Sequence, residues 1–169
     1  MVAEARFEAR TRTYQYLRPA PEQLRAAALD GLELLQRVMD GQFPMPPMAA
    51  TLGFTLVAVE RGRAIFEGTA AEWQYNPLGS VHGGWIATIL DSALGCAVHS
   101  SLSRAEGYTS TDLQVRFLRA VVTGSGVLRA EAHVVHTGKR IATAEARLFG
   151  RDDSKLYATA TGACLVLAP

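Results

Sequence analysis

Cysteine is scarce in this sequence. Cys96 and Cys164 are the two among 169 residues, too few for the multi-bridge framework of a small secreted domain, and both sit among small or apolar neighbours. Reduced thiols in a cytoplasmic protein are the expectation. An excess of either charge is also missing: 17 Lys and Arg stand against 16 Asp and Glu, a net of +1. No general attraction to nucleic acid or to an anionic membrane follows, so an anionic ligand has to be held locally. The longest weakly charged stretch, Gly83 to Leu102, contains Asp91, His99 and several serines, and reads as a buried helix and not as a membrane span. The first twenty residues carry Arg6, Arg10, Arg12 and Arg18 without an apolar stretch, which argues against a secretory signal peptide. What is present, 49% hydrophobic and 20% charged residues, suits one folded domain with a real core.

Along the chain, residues 21–40 place Leu24, Ala28, Leu32, Leu35 and Met39 at helical spacing, with Gly31 as a weak point and Gly41 as the stop. The segment 43–50 holds three prolines and is expected to be a linker without helix. This divides the chain into an N-terminal extension, 1–42, and a main domain, 43–169. Two strands, 52–59 and 62–70, meet at a turn over 60–63. The loop 71–81 leads to a helix from Gly83 to about Ser101 that is apolar nearly all round, and such a helix must be wrapped by protein. Four further strands are expected at 109–119, 126–136, 140–149 and 155–167. In the first of them Leu113, Val115 and Phe117 alternate with Asp112, Gln114 and Arg116, as in a sheet with one wet face. The order contains no βαβ alternation and no repeat. An α+β fold satisfies it, with a six-stranded antiparallel sheet curled around one helix.

Two features ask for more than packing. In Asn76-Pro-Leu-Gly-Ser-Val-His82-Gly83-Gly84 a loop delivers a histidine and two glycines to a helix N-terminus. Unpaired amide hydrogens and the positive end of the helix dipole point outward there, and glycine lets a ligand oxygen come close to the backbone. The plainer reading is a tight turn capped by His82. The second feature is Asp91, the sole formal charge between His82 and Arg104, in the run WIATILDSALGCAV. A carboxylate there needs hydrogen bonds from Ser92, Thr88 or the backbone, or else a cavity to face. Gly83 and Asp91 are eight residues apart, roughly 12 Å of helix, whereas a reacting atom must lie about 3 Å from each. An antiparallel two-fold dimer would bring the glycine end of one chain to the aspartate of the other and make two composite sites.

Asn76-Pro77, His82-Gly83-Gly84, Asp91 nine residues beyond His82, TSTDLQVRFLRA at 109–120 and HTGKRIATAEARL at 136–148 form an ordered set. On these residues the chain strongly resembles the PaaI-type acyl-CoA thioesterases of the hotdog-fold superfamily, over residues 43–167. The resemblance implies a long central helix wrapped by an antiparallel sheet, a dimer as the minimal active unit and often a dimer of dimers. It makes Asp91 the carboxylate that attacks the thioester carbonyl or activates water, with the Gly83 N–H of the partner chain polarising that carbonyl. His82 and Asn76 would orient the thioester and water, and Ser110 or Thr109 would hold the water. Gly84, Arg119, Lys139 and Arg140 fall to coenzyme A, the basic residues at its nucleotide end, where Lys and Arg suit phosphate. The chemistry implies no cofactor beyond the coenzyme A of the substrate and no metal.

His99, His133 and His136 show no metal-ligand spacing and are read as structural or surface groups. Trp73, Tyr75 and Trp85 are open to two readings, an acyl pocket or the core. A non-catalytic acyl-CoA-binding hotdog protein is the alternative to a hydrolase, and Asn76, His82, Gly83 and Asp91 argue against it. A hotdog hydratase is a weaker third reading.

Overall fold

The computed structural model describes residues 8–18 and 28–167. Helices α1 (Gly31–Met39) and α2 (Pro47–Leu52) precede the hairpin of β1 (Phe54–Glu60) and β2 (Arg63–Thr69). The long helix α3 (Gly83–His99) follows, and then β3 (Gly107–Phe117), β4 (Val127–Thr137), β5 (Ile141–Gly150) and β6 (Leu156–Leu167). All strand pairs are antiparallel, in the order β1-β2-β4-β5-β6-β3. This is the hotdog arrangement expected from the sequence.

The sheet curls around α3, and the middle of its inner face on β4, β5 and β6 is lined by alanine. Ala130 and Ala132 on β4, Ala142, Ala144 and Ala146 on β5, and Ala158 and Ala160 on β6 are all buried. Methyl side chains let the backbone approach a bulky helix, and α3 supplies the bulk with Trp85, Ile86, Ile89, Leu90, Leu94 and Val98, all buried. Full burial of one such side chain contributes about 1.5–3 kcal/mol.

Three expectations need correction. The amphipathic stripe does not run as one helix from Ala28: that residue has φ +49°, and α1 starts at Gly31 after an Asp30–Glu33 capping box. Leu24 and the rest of 21–27 lie outside the described residues. Gly31 is a docking point and not a weak point, because a Cβ there would run into the His99 carbonyl at the end of α3, and the Leu102 carbonyl just beyond that helix accepts the Gly31 N–H at 3.2 Å. The proline segment does contain a helix. Pro46 is the N-cap of α2 and Pro47 its first residue, where a missing N–H costs nothing.

The third correction concerns β3. It is an edge strand, and its apolar face is only partly covered: Val115 packs against the core, whereas Leu113 is 36% and Phe117 56% exposed, and Leu118 just beyond is also 56% exposed. The alternation is also broken by a bulge, since Ser110 pairs with Cys164 and Asp112 with Ala163, leaving Thr111 as the extra residue. The bulge switches which residues face α3, from Tyr108 and Ser110 before it to Val115 and Phe117 after it.

Candidate active site

The loop before α3 is held in shape by Asn76. Its Oδ1 accepts the Leu78 N–H at 2.8 Å, its Nδ2 donates to Ser80 Oγ at 3.0 Å, and its own N–H bonds the Ser80 carbonyl. These local bonds are the asparagine-turn chemistry that competes with regular structure. The loop hands over to His82, whose N–H bonds the Gln74 carbonyl at 2.7 Å and whose extended backbone makes it the N-cap of α3. His82 Nδ1 accepts the Gly84 N–H at 2.9 Å, so Nδ1 is bare and the exposed Nε2 is left for other partners.

The first turn of α3 therefore spends two of its amide hydrogens. Gly84 donates to His82 Nδ1 and Trp85 to the His82 carbonyl at 3.0 Å. Among the described residues the Gly83 N–H has no acceptor. Phe117 lies against the same glycine, its ring 3.0 Å from where a Cβ would stand. A free donor at a helix N-terminus, next to an exposed ring, is the arrangement that suits a carbonyl oxygen.

Two turns further along, Asp91 is half-buried and its Oδ1 accepts a hydrogen bond from Ser110 Oγ at 3.1 Å. The hydroxyls that the sequence offered as partners are engaged elsewhere: Thr88 donates to the Gly84 carbonyl and Ser92 to the Thr88 carbonyl. Asp91 has no ion pair among the described residues. Between Ser110 and Thr109 the structure brings Ser110 to the carboxylate, and the bulge at Thr111 is the cause.

α3 and β3 run antiparallel along a shared crevice. Gly83 lies under Phe117, Asp91 meets Ser110, and Gly95 lies under Tyr108. Neither ring contact was legible from the sequence, although Gly95 in a helix interior was a signal, because glycine there costs about 1 kcal/mol unless a close approach requires it. Beyond Asp91 the crevice holds thiols and a phenol whose ionisation is disfavoured. Burial and the Asp91 charge push the Cys96 thiol up to about 12. Burial, with the fields of Cys96, Cys164 and Asp91, raises the Tyr108 phenol well above its usual range. Burial also raises the Cys164 thiol against the opposing contact with Ser110.

The remaining candidates are dispersed. Arg119 follows the C-terminal end of β3, its N–H on the Tyr157 carbonyl, whereas the Arg140 carbonyl accepts the Val166 N–H opposite Tyr108 at the other end. The length of β3 separates Arg119 from Lys139 and Arg140, so one chain does not assemble them into a single cluster. Trp85 is core, with its Nε1–H on the Leu52 carbonyl at 2.8 Å, and Tyr75 Oη bonds Thr123. Trp73 lies under the Arg12 guanidinium, 3.7 Å from the ring centroid. A groove of about 640 Å³, lined by Arg116, Glu131, His133, Glu145 and Arg147 among others, opens on the opposite face of the sheet from α3. Among the described residues no three His, Cys, Asp or Glu side chains converge as metal ligands, and no helix is long and apolar enough to cross a membrane.

The chain is similar to several known proteins. Residues 78–157 match the model of the thioesterase superfamily. Mouse acyl-coenzyme A thioesterase 13 is 30% identical over 125 residues, 73% of this chain and 88% of that protein. A phenylacetic acid degradation-related protein of Ralstonia eutropha JMP134 superposes with a TM-score of 0.70 at 30% identity, covering 78% of this chain and 98% of its own. The Escherichia coli PaaI protein has the same fold, with a TM-score of 0.70 at 22% identity over 82% of this chain and 94% of its own.

Proposed function

The chain belongs to the thioesterase superfamily, and from that premise we propose that it hydrolyses acyl- or aryl-CoA thioesters to a free acid and coenzyme A. The observation that carries the reading is the pairing of Asp91 with Ser110 on one stretch of α3, with an unspent Gly83 N–H two turns away on the same helix. A thioester needs a donor where negative charge develops on the carbonyl oxygen, and a nucleophile or base on the other side of the carbonyl carbon. Gly83 N–H is the donor. Asp91 either attacks the carbonyl carbon, forming a mixed anhydride that water then hydrolyses to the free acid, or takes a proton from the attacking water, and Ser110 orients that carboxylate and the water. The thiolate of coenzyme A leaves and is protonated. His82, through its free Nε2, and Asn76, through the loop it shapes, position the thioester.

The site is completed by a second copy of the chain. Gly83 and Asp91 of one copy are roughly 12 Å apart along α3, too far for one carbonyl group. β3 is an unpartnered edge with Leu113, Phe117 and Leu118 exposed. Antiparallel pairing of β3 with its copy puts the Gly83–Phe117 end of one protomer beside the Asp91–Ser110 end of the other. The same pairing carries Arg119 of one chain toward Lys139 and Arg140 of its partner, which makes a phosphate-binding cluster that one chain lacks. Two composite sites per dimer result, with a dimer of dimers as the larger assembly. The protein works in the cytoplasm, without a resident cofactor, nucleic acid or membrane.

Thiol release from short, medium, long-chain and aromatic acyl-CoAs, with wild type and Asp91→Ala compared, tests the reading. Turnover on a defined subset, reduced by at least about a hundredfold in the variant, is the expected result. Binding of an acyl-CoA without turnover would instead support a non-catalytic binding protein.

A further inference from the structure

The face of the sheet turned away from α3 carries a trough along β6. Thr159 and Thr161 alternate there with the buried Ala158 and Ala160, and their side chains are short. The strands on either side set long polar side chains beside them. Thr159 stands between Arg116 of β3 and Arg147 of β5, and Thr161 stands between Gln114 of β3 and Glu145 of β5. Short residues on the middle strand and long ones on both neighbours leave the groove of about 640 Å³ that all six residues line.

Some charges at this groove are already answered and others are not. Glu131, on the β4 side, accepts from Arg63 Nε at 2.7 Å and lies 3.1 Å from His133 Nε2. Arg116, Arg147 and Glu145 have no ion-pair partner among the described residues. Neighbouring strands lie roughly 5 Å apart, so the two arginines leave the backbone roughly 10 Å apart, one on each side of Thr159. Both side chains are long enough to reach over that hydroxyl. Two guanidinium forks around one hydroxyl make a clamp for a phosphate, whose oxygens serve both forks. One pair further along the trough, the walls change to Gln114 and Glu145 with Thr161 between them. A carboxylate there disfavours a second anionic group and accepts hydrogen bonds from hydroxyls, and the glutamine amide and threonine both donate and accept.

We propose that this groove is a second ligand site, separate from the thioester site on α3, which takes a phosphate ester of a polyhydroxyl compound. The phosphate sits on Arg116 and Arg147, and the hydroxyls face Gln114, Thr161 and Glu145. The inference does not rest on the thioesterase reading, since none of these residues takes part in that chemistry.

Isothermal titration of the full chain with glucose 6-phosphate, inorganic phosphate and glucose tests it. Wild type is expected to bind glucose 6-phosphate more tightly than inorganic phosphate, and glucose least. Arg116→Gln and Arg147→Gln each weaken glucose 6-phosphate by about ten- to a hundredfold, the worth of a hydrogen bond to a charged group. Glu145→Ala lowers the preference for glucose 6-phosphate over inorganic phosphate, because it removes an acceptor of hydroxyls and a repeller of anions together. All three side chains are exposed, so the variants keep the fold, which circular dichroism checks. No saturable binding of glucose 6-phosphate to wild type at millimolar concentration, as for an ordinary solvated sheet face, overturns the proposal. Binding that survives in Arg116→Gln and Arg147→Gln belongs elsewhere on the chain and overturns it as well. Inorganic phosphate bound as tightly as the ester overturns the polyhydroxyl class of ligand.

Discussion

Ser110 Oγ donates to Asp91 Oδ1 at 3.1 Å across the crevice between β3 and α3, and it does so because one residue, Thr111, is extra in the pairing of β3 with β6. Without that bulge the odd-numbered residues of β3 would face the helix along its whole length, Ser110 would face away, and Thr111 would stand opposite Cys164 in its place. A bulge that re-aims a side chain beside a chemically active group is a recurring use of this irregularity. Here it converts an exposed edge strand into the support of a carboxylate.

Ser110→Ala is therefore expected to cut kcat by about ten- to a hundredfold, the worth of a hydrogen bond to a charged group. Thr109→Ala leaves kcat within about a factor of two to three. Steady-state thiol release with both variants checks this, and equal losses at the two positions would contradict the assignment.

The Gly83 N–H can be removed without breaking the helix. Proline is tolerated at the first helical position, and His82 already has the extended backbone, φ −62° and ψ 137°, that a residue before proline prefers. Gly83→Pro should lower kcat by about 10²–10³, the usual loss for one oxyanion donor. Gly83→Ala is the control, since it adds a Cβ against Phe117 in the same way but keeps the N–H. The difference between the two variants measures the donor itself.

Much of this fold is legible in the sequence, and the parts that are not share a physical cause. The apolar run after Gly83-Gly84 marks α3 to within two residues, because a helix apolar all round has nowhere to go but the core. Strand positions follow from alternation and glycine turns. What escapes is whatever depends on a shift of one residue or on a contact between distant segments. The helix at Pro47–Leu52 looks like a linker because its prolines fall where a helix can begin. The choice of Ser110 over Thr109 hangs on a bulge with no sequence mark. The family resemblance groups Arg119, Lys139 and Arg140 at the nucleotide end of coenzyme A, yet within one chain β3 separates them in space. The covering of Gly83 by Phe117 and of Gly95 by Tyr108 follows from the antiparallel course of α3 and β3, which no local pattern encodes.

Stability should depend on pH through His99. Burial depresses its pKa in the folded state below the ordinary value of 6.5, with Asp30 opposing. The unfolded chain then binds more protons than the folded one in the window just below pH 6.5. Stability is accordingly present in full above that pH and is lost as pH falls through the folded value. His99→Phe, which keeps a ring against Tyr108, lacks this part of the decline. Urea midpoints between pH 5 and 8 for both proteins give the comparison, and parallel curves would contradict it. Asp30, held below its usual value of 3.8 by the Glu33 N–H, acts only in more acidic solution.

The central claim is that two chains build each site, and subunit complementation tests it most directly. Asp91→Ala and Gly83→Pro chains carrying different affinity tags are co-expressed, and the doubly tagged dimer is isolated. If Asp91 of one chain works with Gly83 of the other, the mixed dimer has one doubly damaged and one intact site, and recovers roughly half of wild-type turnover. If both groups act within one chain, every site carries one lesion, and the mixed dimer is no more active than its parents.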